Sequence, residues 1–256
     1  MSSSQHPKIV LHWLEKSRAQ RVLWLLEELN VSYDIERYKR DPKTNLADPK
    51  LKDIHPLGKA PVLAIGDMVL AESAVICEYL AEHFGDGAMV PTRWKEGREN
   101  QVGGETESYM RYRYFMHYTE GSLMSLVLVG LVENNIRDAP VPFFIKPITK
   151  TISGNISKGY TMPNYIAHFH FIEEQLATAP GGGGYLCGPT LTAADIMMSF
   201  PVLLAAQGHL KAAGDITKES HPHIFAYAAR LEESESYKRA VQKIVELEGE
   251  YKLSPG

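Results

Sequence analysis

The stretch GKAPVLAIGDMVLAES, residues 58–73, decides the fold of the first part of the chain. Residues 62–65 predict a buried strand, the Gly-Asp pair at 66–67 a tight turn, and residues 68–70 a returning strand. Pro61 stands where the first of these strands begins. Because proline cannot donate to a strand ladder, it belongs at an edge, at a strand start or in a bulge. The stretch therefore predicts a β-hairpin whose entry is shaped by a proline.

Further strands and helices are predicted on both sides of this hairpin. Alternating apolar residues indicate strands, and apolar residues spaced three and four apart indicate helices. The predicted elements are strands at 8–13 and 32–38, a helix at 17–29, a polar loop with one irregular helix at 39–52, and a helix at 73–84. The strand-helix-strand start predicts a parallel pair, to which the hairpin adds antiparallel strands. The order β-α-β-α-β-β-α is that of an α/β thioredoxin-like domain.

The remainder of the chain shows only helical patterns. Helices are predicted at 101–133, 163–177, 192–206, 222–231 and 237–248, with a break at 139–147, where three prolines fall. The fold class is therefore a thioredoxin-like N-terminal domain followed by an all-α C-terminal domain. The predicted boundaries are 1–86 for the first domain, 87–97 for a linker and 98–256 for the helical domain.

Composition argues against several functional classes. The formal net charge of −4 implies no basic face, so neither nucleic acid nor a membrane surface is an expected partner. With only two cysteines, Cys77 and Cys187, a disulfide scaffold is not expected and a reducing compartment fits better. The N-terminus lacks the apolar core of a signal peptide, and the longest apolar run, 126–132, is far shorter than the ~20 residues that span a bilayer. We expect a cytoplasmic protein without membrane insertion.

Three motifs, in order along the chain, resemble those of one enzyme family. GKAPVL at 58–63 with AESAVI at 71–76 is similar to a glutathione-binding signature, and LTAADIMMSFP at 191–201 is similar to a second-domain motif. Together with HWLEKSRAQRVLWLLEEL at 12–29, they resemble the soluble glutathione transferases. The likeness is nearest to the fungal and bacterial branch that includes a yeast transferase associated with the endoplasmic reticulum.

This resemblance implies a detoxification enzyme that joins the glutathione thiolate to electrophilic small molecules. Glutathione is then the co-substrate, and the partner protein is a second copy of the chain in a homodimer. The family dimer places the first domain of one subunit against the second domain of the other, using residues 68–71 and the long helix of the second domain. Peripheral association with the endoplasmic reticulum is implied by the resemblance alone.

The resemblance also implies that glutathione binds beside the hairpin. With a cis Ala60–Pro61 bond, the amide and carbonyl of Ala60 turn outward and pair with the cysteinyl backbone of the peptide. The alternative is a trans proline at a plain strand start. Glu72 attracts the α-amino group and Ser73 holds the γ-glutamyl carboxylate at a helix N-terminus. The alternative there is an ordinary helix N-cap.

Basic residues are the candidates for the glycyl carboxylate of glutathione. Lys59 directly precedes the predicted peptide-binding edge, and Lys39, Arg40 and Lys43 lie in the polar loop. A cation near a carboxylate favours binding, but each of these side chains is equally well explained as a solvated surface charge. We expect Lys59 to make the contact, with one of the three loop residues beside it.

Ser17 is the predicted catalytic hydroxyl. It follows the first strand at the mouth of the first helix, where the family places the bound thiol. Thiolate is the nucleophile, so a hydrogen bond that stabilises the anion promotes the reaction. The alternative is that Ser17 only caps the helix, in an S-x-x-Q capping box with Gln20. Tyr38 and the helical tyrosines are alternative donors.

Tyr109, Tyr112 and Met116 are the predicted lining of the electrophile pocket. They recur at spacings of three and four on one helix face, near the start of the long helix, which faces the glutathione site in the family. Such a stripe is also the pattern of a core face, and that alternative is kept. Residues 134–165 show no fixed pattern and could reshape or cover the pocket.

Thr192 and Asp195 predict a T-x-x-D capping box ahead of an apolar helix, and therefore a structural role. No metal is expected. The two H-x-H pairs, at 168/170 and 221/223, place their histidines two residues apart. On a helix such side chains point about 200° away from each other and cannot share an ion.

Two other functions are compatible with the same residues. A glutathione-dependent peroxidase needs the same thiolate and no additional protein group. A binding or regulatory module would keep the fold and glutathione without transferase chemistry. The sequence therefore leaves a transferase, a peroxidase and a non-catalytic glutathione-binding protein as alternatives, and the transferase is preferred.

Overall fold

The structure is a computed structural model that describes residues 7–210 and 216–253. The chain divides into two compact units, and each has its own core. Within the described ranges these units consist of residues 7–91 with 232–252, and of residues 92–231 with 253.

The first unit has the predicted thioredoxin-like order of elements. These elements are β1 (Ile9–Leu14), α1 (Ala19–Glu28), β2 (Asp34–Tyr38), α2 (Leu51–Ile54), β3 (Val62–Ile65), β4 (Met68–Ala71) and α3 (Ser73–Phe84). The strands form one sheet in the order β2-β1-β3-β4. β1 and β2 are parallel, whereas β3 is antiparallel to both of its neighbours. The predicted mixed sheet is confirmed.

The core of the first unit follows from the two periodicities in the sequence. Leu11 on β1 and Leu63 on β3 are opposite each other in register, and both are fully buried. On α1, the apolar residues Val22, Leu25 and Leu26 are also fully buried, because their spacing of three and four places them on one face. Burying apolar surface at about 25 cal/mol per Å² is the main force that holds the helix on the sheet.

The second unit is helical, as predicted. Its described elements are α4 (Glu107–Tyr118), a π-helical turn (Thr119–Met124), α5 (Ser125–Arg137), α6 (Lys146–Ile156), a second π-helical turn (Ser157–Thr161), α7 (Met162–Ala177), a 3-10 turn (Pro180–Gly182), α8 (Ala193–Ala206) and α9 (Pro222–Glu233). The predicted helix at 101–133 begins later, because Thr106 is the N-cap and its hydroxyl accepts the Tyr109 amide at 3.2 Å.

α6 was not predicted, because prolines dominate residues 139–147. Pro147, however, stands in the first turn of α6, where an amide would have no intrahelical partner and the fixed φ of proline suits the helix. The break is therefore shorter than expected. Residues 134–165, which showed no sequence pattern, contain the end of α5, a loop, α6 and the start of α7.

The continuous helical stretch Glu107–Arg137 is long and apolar enough to cross a membrane by length and composition alone. Its most apolar window has a mean hydropathy of 1.3, and half of that window is buried inside the protein. Gly130, for example, lies close against the Tyr165 hydroxyl, where an added Cβ would approach to 2.8 Å. A buried core helix of a globular protein meets the same length and composition test.

The last helix, α10 (Glu235–Glu248), packs on the first unit instead of the second. The indole N–H of Trp24 donates to the Ser236 hydroxyl at 2.9 Å, and that of Trp13 donates to the Glu248 carboxylate at 2.9 Å. The sequence-based boundary at 98 assigned this helix to the second domain by its order in the chain. Order along the chain cannot reveal such a return, since the partners are more than 200 residues away.

The capping box predicted at the start of α8 is confirmed. Asp195 is fully buried, and one of its carboxylate oxygens accepts both the amide and the hydroxyl of Thr192 at 2.8 Å. The other oxygen accepts the Leu186 amide at 3.0 Å and the Tyr227 hydroxyl at 2.9 Å. Asp195 therefore joins three segments of the second unit, which supports the structural reading of this residue.

A second carboxylate holds the start of α9. Glu173 on α7 accepts the amides of His223 and Ile224 at 3.0 and 2.9 Å, and its Oε1 lies 2.7 Å from Nδ1 of His223. Burial acts to raise the pKa of Glu173, but these hydrogen bonds outweigh burial and place the pKa below its ordinary value. The ionised carboxylate therefore stabilises the folded unit.

Glu173→Gln should lower the free energy of unfolding by about 1–2 kcal/mol at neutral pH. A carboxyl whose pKa is lowered by folding contributes stability above its unfolded pKa, about 4.3, and loses it as the pH falls through the folded value. The difference between wild type and variant should therefore be complete at pH 7 and shrink below about pH 4. Urea unfolding at a series of pH values measures it. Glu174→Gln, on an exposed neighbour, is the control, and a difference that persists in acid would contradict the assignment.

Candidate functional site

Four strand ends meet at one end of the sheet. β1 ends at Leu14 and the parallel β2 ends at its register partner, Tyr38. His12 on β1 pairs with Val62, the first residue of β3, and Val62 pairs with Ala71, the last residue of β4. The C-terminal ends of β1, β2 and β4 therefore lie beside the N-terminal start of β3.

This end of the sheet collects the residues predicted to bind glutathione. Ser17 follows β1, Ala60 precedes β3, and Glu72 and Ser73 follow β4. Adjacent strands lie about 4.8 Å apart, so β1 and β4, with β3 between them, are about 10 Å apart. An extended tripeptide has a similar length of about 10 Å. One extended tripeptide can therefore reach from the Ser17 turn to the start of α3.

Ser17 lies half-buried in the turn between β1 and α1. Its hydroxyl donates to the Leu14 carbonyl at 2.7 Å and accepts the Ala19 amide at 3.2 Å. The predicted capping box with Gln20 is wrong, because α1 begins at Ala19 and its N-cap is Arg18. The hydroxyl thus satisfies one amide at the helix start. To donate to a thiolate, it must rotate away from the Leu14 carbonyl.

The Ala60–Pro61 peptide bond is cis, which confirms what the resemblance implied. Ala60 is half-buried and lies two residues before Val62, where β3 and its pairings with β1 and with β4 begin. The backbone of Ala60 therefore lies outside both ladders, where an extended peptide can pair with it. Gly58, two residues earlier, has a φ of 57°, which glycine adopts without steric cost.

Glu72 and Ser73 form the junction between β4 and α3. Glu72 is the N-cap residue, with φ 71° and ψ 120°, a conformation that costs a non-glycine residue about 1–3 kcal/mol. Ser73 is buried and is the first residue of the helix, so the alternative of Ser73 as an ordinary N-cap is wrong. Amides in the first helical turn have no intrahelical partner and favour an anion. Strained backbone of this kind clusters at active sites, ligand clamps and switch regions.

The basic candidates differ in what they contact. The side chains of Lys59, Lys39 and Lys43 are exposed. Arg40 instead turns its guanidinium onto the carbonyl oxygens of Glu15, Lys16 and Asn45. The residue pattern predicts for Arg40 either a contact with the glycyl carboxylate or a solvated surface charge. Its contacts with the turn before α1 have no signal in a single sequence, because they depend on where the strands end.

Tyr38, the alternative donor, is buried and committed elsewhere. Its hydroxyl donates to the Glu36 carboxylate at 2.8 Å and lies 3.2 Å from Nδ1 of His12. Burial, followed by the bond to Glu36, raises the pKa of Tyr38, and burial lowers the pKa of His12. Both groups are therefore neutral near pH 7. This arrangement favours Ser17 over Tyr38 as the hydroxyl beside a bound thiol.

The predicted pocket residues lie on α4. Tyr109 is half-buried, whereas Tyr112 and Met116 are buried in the second unit. Burial of Tyr112 and Met116 agrees with the alternative that this helix face belongs to the core. A pocket role for the three residues stays a prediction. A different face of α4 borders an open groove of about 940 Å³ in the same unit. Its lining includes Glu107, Met110, Arg111, Tyr114, His117 and Phe171.

Two cysteines and two H-x-H pairs lie among the residues that the structure describes. Both cysteines are free and buried, and burial raises the pKa of the Cys187 thiol, which stays protonated. Among residues 7–210 and 216–253, no group of three or more His, Cys, Asp or Glu is placed to hold a metal ion. His168 contacts the Tyr118 hydroxyl, while the His170 ring lies 4.9 Å from that of His221.

The first unit is a thioredoxin-like sheet with the start of α3 at one of its ends, and the second unit is helical. Residues 7–82 match the glutathione S-transferase N-terminal domain, and residues 137–242 match the glutathione S-transferase C-terminal domain. Glutathione S-transferase 1 of Saccharomyces cerevisiae is 32% identical over 243 residues, covering 93% of this chain and 95% of that relative.

Solved structures show the same architecture. A glutathione S-transferase from Actinobacillus pleuropneumoniae is 28% identical, with a TM-score of 0.64 and 92% of each chain covered. Ure2p5 from Phanerochaete chrysosporium, crystallised with 1-(S-glutathionyl)-2,4-dinitrobenzene, has a TM-score of 0.66, 97% of this chain and 100% of that chain being covered. At 16% identity, that second likeness concerns the fold alone.

The chain belongs to the glutathione S-transferase family. It is therefore a transferase with glutathione as its co-substrate, which confirms the preferred reading of the sequence.

Proposed function

We propose that this protein transfers the glutathione thiolate to electrophilic small molecules, with Ser17 stabilising the thiolate. The observation that carries the proposal is the convergence of Ser17, Ala60 and Ser73 at one end of the sheet, across a width that an extended tripeptide spans. Each of the three segments supplies a different kind of contact, and these contacts match the parts of glutathione.

Glutathione is an extended peptide with a carboxylate at each end and a thiol in the middle. The backbone of Ala60 pairs with the cysteinyl residue, since it lies outside the strand ladders. The amides at the start of α3 and the Ser73 hydroxyl hold the γ-glutamyl carboxylate, and the exposed Glu72 carboxylate attracts the α-amino group. Lys59 meets the glycyl carboxylate at the opposite end of the peptide.

The chemical step requires the thiolate. The thiol proton leaves to solvent, the sulfur attacks the electrophilic carbon, and a carbon–sulfur bond forms as the leaving group departs with the displaced electron pair. Ser17 stabilises the anion by turning its O–H from the Leu14 carbonyl towards the sulfur, and the N-terminus of α1 adds its partial positive charge. In the second unit, Tyr109 is the most accessible of the three proposed pocket residues, ahead of Tyr112 and Met116.

Two measurements test the transferase. The purified protein should be retained on immobilised glutathione and eluted by free glutathione, and it should conjugate an aryl halide. Retention without turnover of an aryl halide or of a hydroperoxide would indicate the non-catalytic glutathione-binding module. Reduction of a hydroperoxide without conjugation would indicate the peroxidase. Circular dichroism confirms in each case that the tested protein is folded.

We propose a homodimer in which apolar surface of both units is covered. In the first unit Val69 on β4 and Val75 on α3 are exposed, and in the second unit Met110 and Tyr114 border the open groove along α4. Sedimentation should give twice the 28.6 kDa of one chain. Val69→Asp should shift the mass towards one chain, because a buried unpaired carboxylate is costly. A wild-type mass of one chain would contradict the dimer.

The cytoplasm is the proposed location, since glutathione is abundant where thiols are kept reduced and both cysteines of this chain are free. Peripheral association with the endoplasmic reticulum is a secondary proposal. Fractionation of cells separates the two, because a peripheral protein sediments with membranes and is released by salt.

A further inference from the structure

The guanidinium of Arg40 bridges two loops at the site end of the sheet. Its Nε donates to the Glu15 carbonyl at 3.3 Å and its Nη2 to the Lys16 carbonyl at 3.2 Å. Its Nη1 donates to the Asn45 carbonyl at 3.0 Å. The backbone amide of Arg40 also donates to the Glu15 carboxylate at 3.0 Å. One arginine thus makes four hydrogen bonds, three of them to the turn before Ser17.

The loop from which Arg40 reaches is itself closed. The Asp41 carboxylate accepts the amides of Lys43 and Thr44 at 2.9 and 2.8 Å. The Asp41 amide donates to the Leu46 carbonyl at 2.9 Å, and the Asn45 amide donates to the Asp41 carbonyl at 2.8 Å. Arg40 therefore projects from a loop that is braced by its own hydrogen bonds.

The contact with Lys16 bears directly on Ser17. The Lys16 carbonyl belongs to the peptide bond that joins Lys16 to Ser17, so the guanidinium holds that peptide plane. Lys16 has a φ of 48°, in the left-handed region, which costs a residue with a side chain about 1–2 kcal/mol. The hydrogen bonds of Arg40 offset this cost, and the Ser17–Leu14 bond holds the opposite side of the turn.

We propose that Arg40 is a positioning residue for the transferase reaction, which fixes the peptide before Ser17 so that the Ser17 hydroxyl faces the bound sulfur. This inference rests on the proposed role of Ser17. Arg40 contributes through its bridging geometry, and not through its positive charge alone. Lysine carries the same charge, but its single ammonium group cannot reach three carbonyl oxygens in a planar fork.

Arg40→Met, Arg40→Lys, Ser17→Ala and the double variant Ser17→Ala/Arg40→Met test the proposal. The readouts are kcat and KM for conjugation of an aryl halide, and the pKa of enzyme-bound glutathione from its thiolate absorbance. Arg40→Met should lower kcat about tenfold and raise the thiol pKa, with the KM for glutathione changed less than about threefold. Arg40→Lys should not restore kcat. Lys50→Met, which removes an exposed cation from the same unit, should behave as wild type.

The double variant shows whether Arg40 acts through Ser17. If it does, Ser17→Ala/Arg40→Met matches Ser17→Ala, because the interaction has already been removed. Three results would overturn the positioning role of Arg40. They are a double variant in which the two losses of kcat multiply, an Arg40→Met enzyme with unchanged kcat, and an Arg40→Lys enzyme with fully restored kcat. Normal activity of Ser17→Ala would refute the Ser17 mechanism itself, and a slow Arg40→Met enzyme would then show that Arg40 acts by another route. Thermal melts of both Arg40 variants separate these results from unfolding.

Discussion

Ser17→Ala should raise the pKa of enzyme-bound glutathione by about 1–2 units and lower kcat for aryl halide conjugation about 10- to 100-fold near pH 6.5. A hydrogen bond to a charged group contributes about 1.5–3 kcal/mol, and one pKa unit corresponds to about 1.4 kcal/mol. Below the thiol pKa the rate follows the thiolate fraction, so the loss should shrink as the pH rises above the new pKa. A pH–rate profile of both enzymes measures this shift.

The geometry without bound glutathione favours the lower end of the expected ranges for the thiol pKa shift and for the loss of kcat. The Ser17 hydroxyl already donates to the Leu14 carbonyl, so binding exchanges one hydrogen bond for another. The same hydroxyl accepts the Ala19 amide, and its removal should also cost about 1 kcal/mol of stability, as the loss of a helix cap does. Stability and thiol pKa must therefore be measured on the same variant.

Ser17→Thr is the matched control, because it keeps a hydroxyl at the same position. It should restore most of the thiol pKa shift and most of the stability. If Ser17→Ala loses stability while its bound thiol titrates as in wild type, the hydroxyl only holds the turn before α1, and the thiolate is stabilised by another group.

Much of the site follows from the order of the strands. Once β1 and β2 are parallel, β3 is antiparallel to β1 and β4 is antiparallel to β3, the segments around Ser17, Ala60 and Ser73 must lie at one end of the sheet. The sequence allows this prediction because the turn at 66–67 and the alternating apolar residues fix the hairpin. The distance from β1 to β4, which is close to the length of an extended tripeptide, then follows from the strand spacing alone.

Other features depend on contacts between residues far apart in the chain. The return of α10 to the first unit rests on Trp13 and Trp24, whose partners lie more than 200 residues away. The positive φ of Glu72 has no local signal, because glutamate seldom adopts it and only its surroundings hold it there. The contacts of Arg40 are of the same kind, since any exposed loop arginine would look alike in sequence.

Asp195→Ala should have the largest effect on stability, lowering the free energy of unfolding of the second unit by about 3–5 kcal/mol, because several buried donors lose their acceptor together. The change removes the acceptor of four hydrogen bonds in a fully buried place. The Tyr227 hydroxyl and the Leu186 amide are also buried, and each would be left without an acceptor at a cost of about 1–3 kcal/mol.

Asp195→Asn separates hydrogen bonding from volume, because it keeps the size of the side chain. One amide oxygen can still accept from Leu186 and Tyr227, but the NH₂ group would face the Thr192 amide, donor against donor. An intermediate loss of about 2–3 kcal/mol is therefore expected. Asp138→Ala, on an exposed acid paired with Arg137 at the end of α5, should cost less than about 1 kcal/mol.

Urea unfolding, followed by the tyrosine signal of the second unit, measures these losses of stability. The glutathione affinity of each folded variant is measured beside them and should not change with stability. The proposed glutathione contacts all lie in the first unit, so folded Asp195→Asn should bind glutathione within about threefold of wild type. A stable Asp195→Ala protein would mean that the buried donors find other acceptors. A stable but inactive Asp195→Ala protein would mean that Asp195 serves the chemistry, although its four hydrogen bonds at the start of α8 are all with the second unit.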